Sequence, residues 1–382
     1  MKLPVYLDNH ATTPVDPRVF EAMKPYFLEK FGNAASASHA FGREARQAVE
    51  RARAQVAASI GAQPEEIAFT SGGTESDNLA IKGAAWMLRE RGDHLITSVT
   101  EHKAVLDACH RLEGEGFRVT FLPVDRYGQV APDDVARAIT PSTILVSLMA
   151  ANNEVGTLHP VAEIGRICRD RGVLFHCDAT QAIGRIPFDV HALNIDLAAF
   201  TAHKFYGPKG AGALFARKGL QLVPILDGGG HERGLRSGTL NVPGIVGLGA
   251  ACELAQAELA EDSRRILELR RRLETRLVAL GDVAVNGHPT ERLAGNLNVS
   301  FPGVDGQALM MGLSGIAVSS SAACNTEKRA ASHVLTAMGV SEDLAERTLR
   351  FGIGRFNSAE EIEYAADQVV ETVSQLRAFA EI

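Results

Sequence analysis

Leu197-Ala-Ala-Phe-Thr-Ala-His-Lys-Phe-Tyr-Gly-Pro-Lys-Gly210 opens as a strand and closes as a turn. The apolar run from Leu197 to Phe200 reads as a short buried strand. Polar residues follow it, and Gly207, Pro208 and Gly210 then break any regular continuation. Lys204 is thereby put at or just past a strand end, where α/β folds gather their chemistry. A lysine there becomes a Schiff-base former if burial or a cationic neighbour lowers its pKa. Taken alone, the stretch is equally a surface lysine in a turn. The rest of the chain decides between the two.

Upstream, Glu65–Phe69, Leu95–Val99, Arg118–Val124, Thr143–Met149 and Val173–Cys177 read as strands, as does Ala211–Ala216 downstream. Helical periodicity appears around Val19–Tyr26, Gly42–Ile60, Asp133–Ile139 and Val161–Arg169, and helices open after Gly73 and at Thr100-Glu-His-Lys. Thr74 is placed to cap the first of these, with Asp77 three residues on as in a capping box. Strands alternating with helices predict a mostly parallel sheet with ligand groups at the strand ends. After Lys218 comes a polar, glycine-rich loop, Gly228–Thr239. A long helix, Val246–Leu280, follows, and its basic run Arg264–Arg276 reads as a solvated face. Asn296–Phe301 and Ile316–Ser319 read as strands of a smaller domain, and Ser358-Ala-Glu-Glu361 boxes the start of a final amphipathic helix. The predicted fold is α/β: a large domain (14–258) with a mostly parallel central sheet flanked by helices, and a smaller α/β domain (1–13 and 259–382).

The 382 residues, 46% hydrophobic and 22% charged, suit an ordinary globular protein of two domains. A net charge of −7 gives no support to a nucleic-acid binder. No apolar run approaches membrane-spanning length, and Pro4 and Asp8 fall where a signal peptide needs apolar residues. A cytoplasmic protein is expected. The five cysteines are widely spread with no C-x-x-C, which argues against disulfides and structural zinc.

Several strand ends now present polar groups: Gly72–Ser76, His102, Asp178 with Gln181, and Thr201–Lys204. One ligand answers all of them, a phosphorylated aromatic aldehyde held as an imine. Its phosphate wants a helix N-terminus and hydroxyls. Its pyridine nitrogen needs a carboxylate to stay protonated, because only the pyridinium is a strong electron sink. An imidazole can cover the ring, an amide can donate to the phenolic oxygen, and the aldehyde wants a lysine. These are the requirements of pyridoxal phosphate.

The motifs Asp8-Asn-His-Ala-Thr-Thr-Pro, Thr70-Ser-Gly-Gly-Thr-Glu-Ser-Asp-Asn, Thr100-Glu-His-Lys-Ala-Val, Asn152-Asn-Glu-Val-Gly, Asp178-Ala-Thr-Gln, Ala202-His-Lys-Phe-Tyr-Gly-Pro-Lys-Gly and Arg236-Ser-Gly-Thr also carry a resemblance. In order and spacing the chain resembles the cysteine desulfurases of the NifS/IscS type, class V aminotransferases of PLP fold type I. The resemblance implies that Lys204 is the Schiff-base lysine, Asp178 the partner of the pyridine nitrogen and His102 the histidine on the ring. It implies that Gln181 donates to the phenolic oxygen, and that Gly73, Thr74, Thr201 and His203 hold the phosphate. Asn153 resembles a residue near both the substrate carboxylate and the cofactor's phenolic oxygen. Thr239 resembles a threonine that reaches the phosphate of the neighbouring subunit, which implies a homodimer.

Cys324 sits in Ser319-Ser-Ser-Ala-Ala-Cys-Asn-Thr-Glu-Lys-Arg329, a small and polar stretch. Lys328 and Arg329 would raise the thiolate fraction of such a cysteine. The resemblance makes Cys324 the persulfide-forming nucleophile, although the residues around it depart from the family pattern. For a substrate carboxylate an arginine fork is suited. The resemblance favours Arg355, in Gly-Arg-Phe, over Arg350, which is read as structural. The expected reaction converts L-cysteine to L-alanine and leaves sulfur on Cys324 for an iron–sulfur scaffold or tRNA-thiolation protein. No resident metal is expected, beyond a transient iron–sulfur contact at Cys324. The rival readings are a selenocysteine lyase, a small-molecule aminotransferase, and a non-catalytic scaffold on the same fold.

Overall fold

The computed structural model describes residues 2–320 and 331–380. In chain order its strands are β1 (Val5–Tyr6), β2 (Ile67–Thr70), β3 (His94–Ser98), β4 (Arg118–Leu122), β5 (Thr143–Ser147), β6 (Leu174–Asp178), β7 (Leu197–Thr201), β8 (Gly212–Ala216), β9 (Ala284–Asn286), β10 (Asn296–Ser300), β11 (Ile316–Ala317), β12 (Ser319–Ser320) and β13 (Thr348–Gly352). The larger sheet has seven strands in the order β2-β8-β7-β6-β5-β3-β4. Only β8 runs against its neighbours; the other pairings are parallel. β5 and β7 are buried along their whole length because helices cover both faces of the sheet. The fold is the expected α/β one.

The helices that position the site are α1 (Pro17–Met23), α2 (Pro25–Leu28), α3 (Ala40–Ser59), α4 (Gly73–Met87) and α5 (Lys103–Glu113). α6 (Pro132–Ala138) and α7 (Val161–Arg171) complete the crossovers, and α8 (Val242–Val278) follows the glycine-rich loop. Pro25, which has no N–H to donate, separates α1 from α2 where one helix was expected. The Thr74–Asp77 capping box is corrected. α4 starts earlier, at Gly73, and its N-cap Gly72 has no side chain to cap with. Thr74 and Asp77 are therefore inside the helix, and Asp77 is buried.

α8 spans 37 residues, about 55 Å at the helical rise. Its first half buries Ile245, Leu248, Ala251 and Ala255 in the core around the large sheet. Its second half buries Leu269, Leu273 and Leu277 in a separate core beside an antiparallel sheet ordered β12-β13-β10-β9. The basic run is not wholly solvated: Arg270 is buried, and Arg265 donates to the Asn357 carbonyl at 2.8 Å. The final helix buries Ile362, Ala365, Ala366, Val369 and Val373 as its periodicity predicts. Its start is boxed by Ser358 and Glu361, each accepting from the other's backbone N–H. β1 pairs with β11, so the N-terminal segment is stitched to the smaller body before it enters the large one.

β9 and β13 went unread in the sequence, and β13 matters. Along Thr348-Leu-Arg-Phe-Gly352 alternate side chains face opposite sides. Leu349 and Phe351 enter the small core. Arg350 is turned the other way.

Candidate active site

A cavity of about 380 Å³ opens over the C-terminal ends of the large-sheet strands. Gly73, Thr74, His102, Asn153, Asp178, Gln181, Thr201, His203 and Lys204 all line it. These residues come from separate strand ends, and the parallel topology brings them together.

Lys204 ends the single 3-10 turn, Ala202–Lys204, that follows β7. Its Nζ donates to the carbonyls of His10 at 2.8 Å and Ala11 at 2.7 Å. Burial pulls its pKa down to about 7, and Arg185 and Arg350 push the same way against the weaker pull of Asp178 and Asp8. Asp178 ends β6, and one of its oxygens accepts the Thr180 N–H at 2.9 Å. Gln181 donates from Nε2 to the His10 carbonyl at 3.0 Å and accepts from Arg185 at 2.6 Å, which leaves one amide N–H for the cavity. His102 is the N-cap of α5, with Nδ1 accepting the Ala104 N–H at 3.1 Å and the residue itself exposed at the rim.

The other end of the cavity is built for an anion. α4 points its N-terminus there, with glycine at the cap and no side-chain acceptor on its first N–H groups among the described residues. A Cβ at position 73 would come within 2.9 Å of Thr180 Oγ1, so the backbone lies open only because Gly73 carries none. Thr201 and His203 close the cradle. Burial and the nearby lysines Lys204 and Lys209 hold His203 down at about 4, so it is neutral near pH 7. An anion cradle, a carboxylate and a deprotonatable lysine amine in one cavity match the phosphate, ring nitrogen and aldehyde of pyridoxal phosphate.

The remaining expected residues lie elsewhere. Arg355 is a correction: it does not line the cavity. Its guanidinium bonds Asp262 at 2.7 Å and Asp16 at 3.1 Å, nears Glu258 at 3.3 Å, and lies over the Tyr206 ring. A guanidinium so compensated has no free edge for a substrate. Thr239 is exposed on the loop before α8 and does not line the cavity. Cys324 lies outside the described residues. Cys109, Cys168, Cys177 and Cys252 are buried, and burial pushes each thiol upward.

The cavity also contains residues to which the sequence reading gave no role there: His10, Asp77, Met149, Thr180 and Arg350. Arg350 donates to Asp8 at 2.8 Å, Ser319 at 2.9 Å and the Asn153 carbonyl at 3.0 Å. The period-two pattern of Thr348–Gly352 was the signal that could have found it.

A model of the family described as aminotransferase class-V matches residues 5–365. A cysteine desulfurase IscS of Anaeromyxobacter dehalogenans is 58% identical over 380 residues, covering 99% of this chain and 94% of its own. A cysteine desulfurase of Mus musculus is 51% identical over 377 residues, covering 98% of this chain and 82% of its own. The solved structure of a NifS-like protein superimposes with a TM-score of 0.92 at 43% identity, covering 98% of this chain and 100% of its own. Matched along nearly its whole length, the chain belongs to the pyridoxal-phosphate-dependent class-V aminotransferase family, on the side of its cysteine desulfurases.

Proposed function

We propose that the Lys204 cavity removes sulfur from L-cysteine, releasing L-alanine and leaving the sulfur on Cys324 as a persulfide. The observation that carries this reading is Lys204 itself: an amine held near pKa 7 by burial, between Asp178 and the α4 anion cradle. Bound there, pyridoxal phosphate supplies the electron sink that makes an amino acid's α-proton removable. Gly73, Thr74, Thr201 and His203 would hold its phosphate, Asp178 would face its ring nitrogen, and Gln181 would donate to its phenolic oxygen. Arg350, with Asn153 beside it, orients the substrate carboxylate. Lys204 accepts the α-proton, and His102 at the rim passes protons between cavity and solvent. The Cys324 thiolate attacks the substrate sulfur: the S–S bond forms as the C–S bond breaks, the electron pair goes to the β-carbon, which is protonated, and return of the α-proton from Lys204 completes alanine.

The same reading includes a homodimer. Phe20, Phe27, Leu28, Phe31 and Phe41 are exposed on and beside α1 to α3, and the Phe31 and Phe41 rings lie 5.5 Å apart. Exposed aromatic groups of this kind suit a second copy, towards whose cavity Thr239 would reach. A sulfur acceptor for iron–sulfur assembly or thiolation, and a cytoplasmic setting that keeps thiols reduced, complete it. No helix among the described residues is long and apolar enough to cross a membrane.

The test is mass spectrometry of the protein after incubation with cysteine, looking for one added sulfur on Cys324 and stoichiometric alanine. Alanine formation that survives Cys324→Ala would favour an aminotransferase. Selenocysteine turnover surviving the same change, with cysteine turnover lost, would favour a lyase. Protein that stays colourless with added pyridoxal phosphate would point to a scaffold.

A further inference from the structure

Asp77 lines the cavity from the second turn of α4 and is 1% exposed. Among the described residues its one ion-pair neighbour is His176, whose Nε2 lies 3.5 Å from Asp77 Oδ1. Neither of these two atoms has a hydrogen-bond partner among the described residues. His176 is 0% exposed on β6, two residues before Asp178, and its Nδ1 meets Ser147 Oγ at 2.8 Å from β5. A third acid, Glu101, is buried just beyond β3, with one oxygen accepting the Met149 N–H at 2.8 Å and the other without a partner.

Two lone pairs facing each other in a buried site repel, whereas one proton between them makes an attractive contact. A carboxylate with no cation beside it is costly to bury ionised, and it takes up a proton instead. We propose that Asp77 is protonated, its carboxyl facing His176 Nε2 while the neutral imidazole keeps its own proton on Nδ1 towards Ser147, so that Asp178 carries the negative charge of the cavity floor without a second anion beside it. Asp77 is then a positioning residue acting through Asp178. Were it ionised, two like charges would crowd the floor where a ring nitrogen needs one anion. Burial, with the negative charges of Asp178 and Glu101, pushes the Asp77 carboxyl well above the ordinary range. Burial pulls His176 down to about 3, so its imidazole stays neutral beside the acid. The groups facing Asp77 are Asp178, Cys177 and His176 from β6 and Glu101 from beyond β3, with Lys204 across the cavity. What this proton explains rests on the cofactor reading above; that it exists does not.

The experiment is infrared spectroscopy of the full chain at neutral pH, with aspartate carboxyls carbon-13 labelled, in wild type and Asp77→Asn. The expected result is a protonated-carboxyl band that shifts with the label and disappears in the variant. No protonated aspartate band, or one that persists in Asp77→Asn and so belongs to Asp178, overturns the proposal. A second measurement compares urea unfolding of the two proteins from pH 4 to 7. An acid whose folded pKa is raised contributes stability below its unfolded pKa and loses it as pH rises toward the folded one. The unfolding constant of wild type relative to Asp77→Asn should therefore rise by up to about tenfold per pH unit. A ratio that stays flat or falls means Asp77 is ionised. Loss of the cofactor chromophore with the band intact would sink the cofactor reading and leave this one standing.

Discussion

Arg350 and Arg355 are separated by a few residues of one chain and hold opposite positions. Arg350 lies on β13, faces the cavity and has one carboxylate, Asp8, against it. Arg355 lies past the strand end among Asp16, Glu258 and Asp262, with Tyr206 beneath it. The first retains charge that a substrate carboxylate can use. The second has its charge matched by the protein and fastens the N-terminal segment to α8. Residue type does not separate the two; charge compensation does.

Removing each in turn is the strongest way to break this contrast. Arg350→Ala should lower kcat/KM for cysteine by about a hundredfold, chiefly through KM, with little change in melting temperature. Arg355→Ala should do the reverse. It removes the guanidinium that ties Asp16 to Glu258 and Asp262, while Asp16 keeps Arg18, a loss of about 2 kcal/mol of stability, and KM per folded molecule holds. If Arg355→Ala raised KM and Arg350→Ala did not, the assignment would be reversed.

A smaller effect sharpens the Arg355 side. Arg18 first, and Arg355 with it, hold the Asp16 carboxyl down at about 2. A depressed acid contributes stability above its unfolded pKa, about 4, and loses it as pH falls toward its folded value. Wild type should therefore exceed Asp16→Asn in stability near neutrality, with the gap closing as pH falls from about 4 toward about 2. An equal gap at all pH values would mean that the contact is packing alone.

The cavity side has its own titration. With Lys204 near 7, the rate at which the cofactor-free chain takes up pyridoxal phosphate should rise with pH, with a midpoint near 7. A midpoint near the ordinary lysine value would mean that the amine is solvated.

The sequence made the large sheet legible because each of its strands is a short apolar run bounded by turns. Its site was legible because a parallel sheet sends those strand ends to one edge, so Asp178, Thr201 and Lys204 had to converge. What escaped it depends on chain partners far apart. β13 is short, carries an arginine at its centre and ends in glycine, so its alternation gives little strand signal of its own. Asp77 sat three residues after a threonine and resembled a capping residue, because burial by a strand nearly a hundred residues later leaves no local trace. His10 lay within a motif, yet its place in the site comes from distant partners, Lys204 and Gln181, both of which donate to its carbonyl.

The chemistry proposed for the cavity turns on the Lys204 amine being the group that holds the cofactor. Reducing the pyridoxal-phosphate-loaded protein with borohydride and mapping its peptides by mass spectrometry tests this directly. The pyridoxyl phosphate mass should appear on the peptide carrying Lys204 and vanish, with the yellow colour, in Lys204→Ala. Labelling of another lysine, or full labelling that survives the substitution, would contradict it.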